Sequence, residues 1–544
     1  MSRRATASGL ARVLKVRAGE ERTAGLGVGA IMSAAIGATF GQSGADALFF
    51  ARSGVDRLPL LLLLSGVLMF VASFVLTAVL GRVPPARLFV LLPLLAAGVV
   101  LVERVFVAAD VSWIYPVLWL TVGVAQMVQG LFTWGTYGIV VDTRQAKRLY
   151  PLFGAGWILG GVVGGVATRP LAAVIGAENL LFVWAGGLAS AGAFGHALLG
   201  GARRGPVATT RRSSRPTPRL LDEMRQGSRS VRSSPLLRWM SLAALSFSVL
   251  FYSLYLPFSR AATERFPDAD ALAGFFGLFS AVTAGAALLW SLFLTGRLFS
   301  RLGVTTMLLL FPVLYLAGFG ILVVHATFAT IVAVRFVQML WLQSVANPAW
   351  EAVVNVLPPT RRDQTRAFLN GAPAQAGTVI AGAIQVVGTR ALSPRSLSAL
   401  GAGAAAAATY VCWRIRRSYA TALVDALRAG RPQVFPSAAD EGSVAGNRID
   451  AAAVAALAAG ATDADARVRR AAVEVLGDVP PDEAAPILEA SLRDEDATVR
   501  STALRSLARS GRAVAWEETM TALTDADPRV RAAALQGRRP RSDR

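Results

Sequence analysis

Twelve apolar stretches, each on the order of 17 to 29 residues, follow one another from Ala24 to Trp413. A bilayer's hydrocarbon core of ~30 Å is crossed by about 20 residues at ~1.5 Å rise each, and inside lipid a helix satisfies all of its own backbone donors and acceptors. The runs are Ala24–Gln42, Leu58–Leu80, Ala86–Ala108, Trp113–Val141, Tyr150–Ile175, Leu180–Leu199, Leu236–Phe258, Ala271–Thr295, Gly303–Val324, Phe328–Val356, Ala367–Gly388 and Leu397–Trp413. Only 16% of residues are charged, where a soluble domain carries about 25%. The pattern predicts an all-α polytopic membrane protein with twelve transmembrane helices.

The net charge of +21 invites a nucleic-acid reading until its location is considered. Residues 448–544 hold 15 Arg against 16 Asp and Glu, so the excess lies on the membrane part. With a cytoplasmic N-terminus the inner segments hold 28 Lys and Arg and the outer loops 8. The positive-inside rule then places both termini in the cytoplasm. Residues 1–23 lack the apolar core of a secretory signal, and the compact loops favour a bacterial inner membrane. One cysteine, Cys412, and two histidines, His196 and His325, give no disulfide framework or zinc cluster. No metal, cofactor or catalytic constellation is expected, and an enzyme is disfavoured.

A stretch rich in Arg, Ser and Pro, residues 201–235, divides the spans into two six-helix bundles, 24–200 and 236–413. The halves resemble each other in one place. Gln145-Ala-Lys-Arg-Leu-Tyr150 after the fourth span matches Asp363-Gln-Thr-Arg366-Ala-Phe368 after the tenth, with Arg148 over Arg366 and Gly164 over Gly382. Weak parallel symmetry of this kind marks the major facilitator architecture. Residues 414–447 read as an amphipathic helix and linker. Beyond them Asp463-Ala-Asp465, Asp494-Glu-Asp496 and Asp525-Ala-Asp527 recur every 31 residues, each followed by Val-Arg. A helix pair with one apolar face must stack on its neighbours, so 448–540 is expected to be a cytoplasmic α-solenoid resembling HEAT repeats. Its near-neutral surface suits a protein partner and lacks the basic footprint of nucleic-acid binding.

Polar side chains inside a bilayer are costly and mark cavities or helix contacts. The tenth span holds Arg335, Gln343, Asn347 and Glu351, and the fourth holds Gln126 and Gln129. Together with Gln42, Asp46, Asn370 and Gln375 they form the candidate substrate cavity, in which Arg335 would hold an anionic group. Pro348 lacks an N–H, so a carbonyl one turn earlier is expected to be free for a ligand or a proton. Arg335 paired with Glu351 or Asp46 is the purely structural alternative. Asp142, Lys147, Arg148, Tyr150 and Arg366 are the candidate gate at the cytoplasmic mouth. The glycines 156, 160 and 164 read as a close-packing face.

Phe132-Thr-Trp-Gly-Thr-Tyr-Gly138, followed by Gln145 to Gly154, resembles the corresponding segment of the ATP/ADP translocase (nucleotide transporter) family, as does Asp46-Ala-Leu. The resemblance covers mainly residues 24–200, is fainter over 236–413 and excludes the repeats. It implies the major facilitator fold and nucleotide exchange, and some bacterial members carry C-terminal HEAT repeats. It makes Lys147, Arg148 and Tyr150 the intracellular motif and Asp46 the acidic position after the first span. The chain departs from the family at Gln42 and Ala45, where the exchangers place cations. With only two lysines, Lys15 and Lys147, any phosphate clamp here would be arginine. The expected function is alternating-access secondary transport of a small anionic solute, with a nucleotide as the resemblance's addition. A membrane-anchored scaffold or sensor, or a lipid or lysolipid transporter, are the rivals.

Overall fold

A computed structural model describes residues 20–80, 83–202, 231, 234–355, 359–428, 451–477, 479, 481–510 and 515–537, in which every regular element is helical. The first half comprises α1 (Glu21–Ser53), α2 (Leu58–Leu80), α3 (Pro85–Ala108), α4 (Ile114–Val140), α5 (Thr143–Ile175) and α6 (Leu180–Ala202). The second begins with α7 (Pro235–Arg265). Next comes α8 (Ala269–Trp290, continued through Ser291–Thr295 into Gly296–Leu302), then α9 (Val304–Val324). There follow α10 (Phe328–Trp341, continued through Leu342–Ala346 into Asn347–Val354), a short helix Pro359–Asn370, α11 (Ala372–Ala391) and α12 (Pro394–Arg428). Most of the expected linker 201–235, most of the N-terminal segment and residues 429–450 lie outside the described residues.

Among the described residues, eleven helices are long and apolar enough to cross a membrane. The twelfth expected span, α11, is diluted by Gln375, Gln385, threonines and glycines, and packs on α2 and α7. The first span runs further than its hydropathy suggested, past Gln42 to Ser53, so Asp46 belongs to a helix rather than an outer loop, and is 5% exposed. The third ends at Ala108, as its apolar run does, and takes in Glu103, also 5% exposed, whose carboxylate accepts from Thr121 Oγ1 of α4. A carboxyl with an in-membrane hydrogen-bond partner loses less on burial, which hydropathy summation ignores.

The halves meet along α5–α8 and α2–α11, with α1 also touching α8. Both crossings depend on missing side chains. A Cβ on Gly165 would lie 2.4 Å from Gly277 O, and one on Gly277 would lie 2.4 Å from Thr168 Cβ. On the other side, Gly66 faces Val379 and Gly382 faces Leu63. The glycine contacts of α5 and α8 fall in the halves of those helices remote from the termini. There too Arg260 pairs with Asp56 at 2.7 Å, the Ala177 N–H donates to Asp270, and Phe50 packs on Tyr255 and Phe276. Towards the termini the short helix Pro359–Asn370 packs on α11 and α7 of its own half. The two halves therefore close at one end and splay at the other.

α8 and α10 each contain a π-turn, Ser291–Thr295 and Leu342–Ala346. Because Pro348 cannot donate to Ser344 O, that carbonyl is released from its helix. The structure corrects the expectation of a free acceptor here, since Thr295 Oγ1 donates to Ser344 O at 3.0 Å. The proline defect in one helix is thus repaired by a hydroxyl from the other.

α12 is one helix of 35 residues with no break at residue 414, so the amphipathic segment expected there is the continuation of the last span. Its C-terminal residues Ile415, Tyr419 and Leu423 recur every fourth position, one helix face. They belong to a single apolar cluster that includes Met240, Met307 and Val353 of the second half and Leu457, Val473 and Leu507 of the repeats. The repeats follow as α13 (Ala451–Ala461) with α14 (Ala466–Leu476), α15 (Pro481–Ser491) with α16 (Ala497–Ser510), and α17 (Trp516–Leu523) with α18 (Pro528–Gly537). The recurring motif has a structural role. In each turn the first Asp accepts the second Asp's N–H, and the second caps the following helix by accepting from Arg467 N, Thr498 N or Arg529 N. The recurring Arg ties its own turn's carbonyls to the next turn's carboxylate, as Arg469 does to Asp494 and Arg500 to Asp525. Arg428 of α12 makes the same kind of contact with Asp463 at 2.9 Å, so the last span acts as the first rung of the ladder.

Candidate functional site

Between the halves lies a cavity of about 670 Å³, walled by α1, α2, α4, α7, α8, α10 and α11. Six of the ten expected cavity residues line it: Gln42, Asp46, Gln126, Arg335, Gln343 and Gln375. The first half contributes an ordered amide chain, in which Gln126 Nε2 donates to Gln42 Oε1 at 2.8 Å and Gln42 Nε2 donates to Asp46 Oδ2 at 2.7 Å. The spacing of Gln42 and Asp46 by one helical turn is what lets these side chains meet. Trp119, another lining residue, and Tyr255 of α7 also approach the Asp46 carboxyl.

The second half contributes the cation. Arg335, 4% exposed, donates to Gln338 Oε1 at 2.8 Å and to Phe251 O at 3.2 Å. Its guanidinium lies 4.4 Å from the ring centre of Phe251, 5.3 Å from Tyr255 and 5.8 Å from Phe258. Aromatic faces attract such a cation, by about 2 kcal/mol when it is desolvated. Neither structural ion pair expected for Arg335 forms, because Glu351 pairs instead with Arg366 at 2.6 Å. The positive group thus remains on one wall and Asp46 on the other, without a direct bridge. The aromatic stripe Phe251, Tyr255 and Phe258 on α7 was missed as a functional element. Its spacing is visible in the sequence but is equally that of a packing face.

The other expected residues are placed differently. Gln129 is buried away from the lining with both amide atoms unpartnered, and Asn347 and Asn370 are exposed without lining the cavity. At the mouth, Asp142 caps α5 in a reciprocal box with Gln145. Arg148 pairs with Glu20, and Tyr150 meets Trp134 edge-on. The side chain of Lys147 lies outside the described residues. Arg148 and Arg366, which the internal symmetry superposes, each bind a glutamate of their own half.

Two six-helix halves joined at one end around a polar cavity define a major facilitator-type fold, here extended by a helical solenoid. Solved structures agree. The nucleoside transporter NupG matches at a TM-score of 0.51 and 13% identity over 72% of this chain and 98% of that one. A bacterial homologue of the iron transporter ferroportin, in an inward-facing state, matches at 0.50 and 14% over the same shares. The POT family transporter PepTSo matches at 0.50 and 13%, again over 72% and 98%. In the tail, the family model for HEAT repeats matches residues 420–508, beginning inside α12. No curated protein matches the chain.

Proposed function

We propose that the protein is a secondary transporter of a small anionic solute, working by alternating access between residues 24–200 and 236–413. The observation that carries this reading is Arg335, a cation held almost fully buried on one wall of a cavity between two movable halves. A fixed charge there is costly unless a ligand or a conformational cycle uses it. In this reading the cavity opens towards the termini, which the charge distribution assigns to the cytoplasm of a bacterial inner membrane. The gate set Asp142, Lys147, Arg148, Tyr150 and Arg366 would exchange partners across the mouth when it closes. The ATP/ADP translocase resemblance makes nucleotides the first substrates to test, and the solenoid would bind a cytoplasmic protein.

The test is uptake of labelled ATP and ADP into proteoliposomes preloaded with unlabelled nucleotide, comparing wild type with Arg335→Ala and Arg335→Lys. Saturable exchange lost in Arg335→Ala supports the nucleotide reading. Absence of exchange in folded wild-type protein removes nucleotides. If a panel of other small anions then also fails to cross, the transporter reading falls.

A further inference from the structure

A second cavity, of about 260 Å³, lies inside the second half and is separate from the central one. One stripe of α7, from Val249 to Glu264, forms a wall, and a stripe of α12 from Pro394 to Ala404 forms the facing wall. The α7 stripe spans 15 residues, or about 22 Å at ~1.5 Å per residue. Half of a ~40–45 Å bilayer, the depth of one lipid with its headgroup, is also about 22 Å. Below the mouth the lining is apolar apart from Ser253 and Gln385, and Gln385 turns its amide nitrogen to Tyr252 O at 2.8 Å. Gly401 keeps the α12 wall close, since a Cβ there would lie 2.7 Å from the Phe319 ring.

The mouth is charged and opens at the closed end of the molecule. Arg260, Glu264 and Arg395 surround it. Arg260 is engaged with Asp56 of the other half. Arg395 and Glu264 are exposed and have no ion-pair partner among the described residues. One free cation and one free anion at the rim of an acyl-length slot match a zwitterionic headgroup. A phosphate suits the guanidinium, and a primary ammonium suits the carboxylate.

We propose that this slot binds an aminophospholipid from the leaflet at the closed end. One acyl chain runs between α7 and α12, the phosphate meets Arg395 with Ser398 beside it, and the ammonium meets Glu264. The lipid is a resident ligand, distinct from the transported solute. It borders the Asp56–Arg260 contact and so stabilises the closed end.

The test uses the full-length protein in vesicles containing lipids with a photoactivatable acyl chain and an ethanolamine, glycerol or choline headgroup, with adducts mapped by mass spectrometry. Ethanolamine-lipid adducts should concentrate on residues 249–264 and 394–404. They should fall at least about five-fold in Ala404→Phe, which fills the slot. They should fall to the choline-lipid level in Glu264→Gln, which loses the ammonium contact, and fall for all three lipids in Arg395→Ala, which loses the phosphate contact; neither alters the apolar walls, and Arg57→Ala should leave labelling unchanged. Adducts spread over the whole apolar belt, equal labelling by all three lipids, or full labelling of folded Ala404→Phe would each overturn the proposal. None of these outcomes bears on anion transport through the central cavity.

Discussion

Replacing Gly277 by alanine should shift the two halves away from the arrangement seen here. The added Cβ would stand 2.4 Å from Thr168 Cβ, 2.7 Å from its Oγ1 and 2.8 Å from its Cγ2, where ordinary contact begins at 3.4 Å. Thr168 cannot swing aside freely, being fully buried with its hydroxyl bonded to Gly164 O at 2.8 Å. The helices must part by ~1 Å, and overpacking of this kind costs about 1–3 kcal/mol. If the crossing separates at this end in the alternate state, that state escapes the cost and gains about 5- to 150-fold in relative population. Spin labels on Arg57→Cys and Glu264→Cys, in a Cys412→Ser background, would report the distance between halves at the closed end. Gly277→Ala should populate a longer distance, and adding Thr168→Gly should restore the shorter one. Gly130→Ala, where nothing lies within 4 Å, should change neither. An unchanged distance distribution in folded Gly277→Ala protein would refute the idea that this crossing holds the end shut.

Three further outcomes follow from the same contacts. Thr295→Val removes the donor that satisfies Ser344 O, so a buried carbonyl is stranded at a cost of about 1–3 kcal/mol, and thermal unfolding of the purified protein should begin several degrees lower. In the solenoid, the hydrogen bonds from Arg500 hold the Asp525 carboxyl below its ordinary value of 3.8. A lowered folded-state value gives stability that is complete above the ordinary value and lost as pH falls through the lowered one. Hydrogen exchange of residues 497–537, corrected for intrinsic rates, should accelerate over that acidic window, and Arg500→Gln should flatten the dependence. Leu423→Ala deletes a side chain 1% exposed at the joint between α12 and the repeats, a change that costs about 2–5 kcal/mol. Exchange should rise in residues 451–476 while the spans stay protected, and equal protection in the variant would show that the joint is not apolar in origin.

Much of this was legible before any coordinates, and the failures have local causes. Span length and the 31-residue period are sums over many residues, so single errors cancel, and the halves, the repeats and their number follow from them. Boundaries depend on single polar residues. Asp46 falls beyond the first apolar run because hydropathy charges every carboxylate the full desolvation penalty. Gln42 supplies its partner one turn away. Glu351 failed as a cavity group for the opposite reason. It shares a helix with Arg335, but sixteen positions separate them, about 24 Å along the axis, and Arg366 is nearer. Pro348 correctly announced a released carbonyl, yet its taker, Thr295, lies 49 positions away along the chain from Ser344, a distance across which sequence periodicity carries no information.

The position of the solenoid matters for how a partner could act. Its main contacts with the membrane part run through α12 and the apolar cluster of the second half, so under the proposed alternating access it moves with that half rather than as a tethered module. A partner that gripped the solenoid alone would travel with that body and leave the equilibrium between states unchanged, however tightly it bound. To regulate transport it must also touch the first half, or a fixed surface, differently in the two states. Each 1.4 kcal/mol of such a difference is worth tenfold in population. The continuity of α12 therefore narrows the kind of regulator to one that bridges the solenoid and the ends of the first half on the side of the termini, where Arg148 and Glu20 lie.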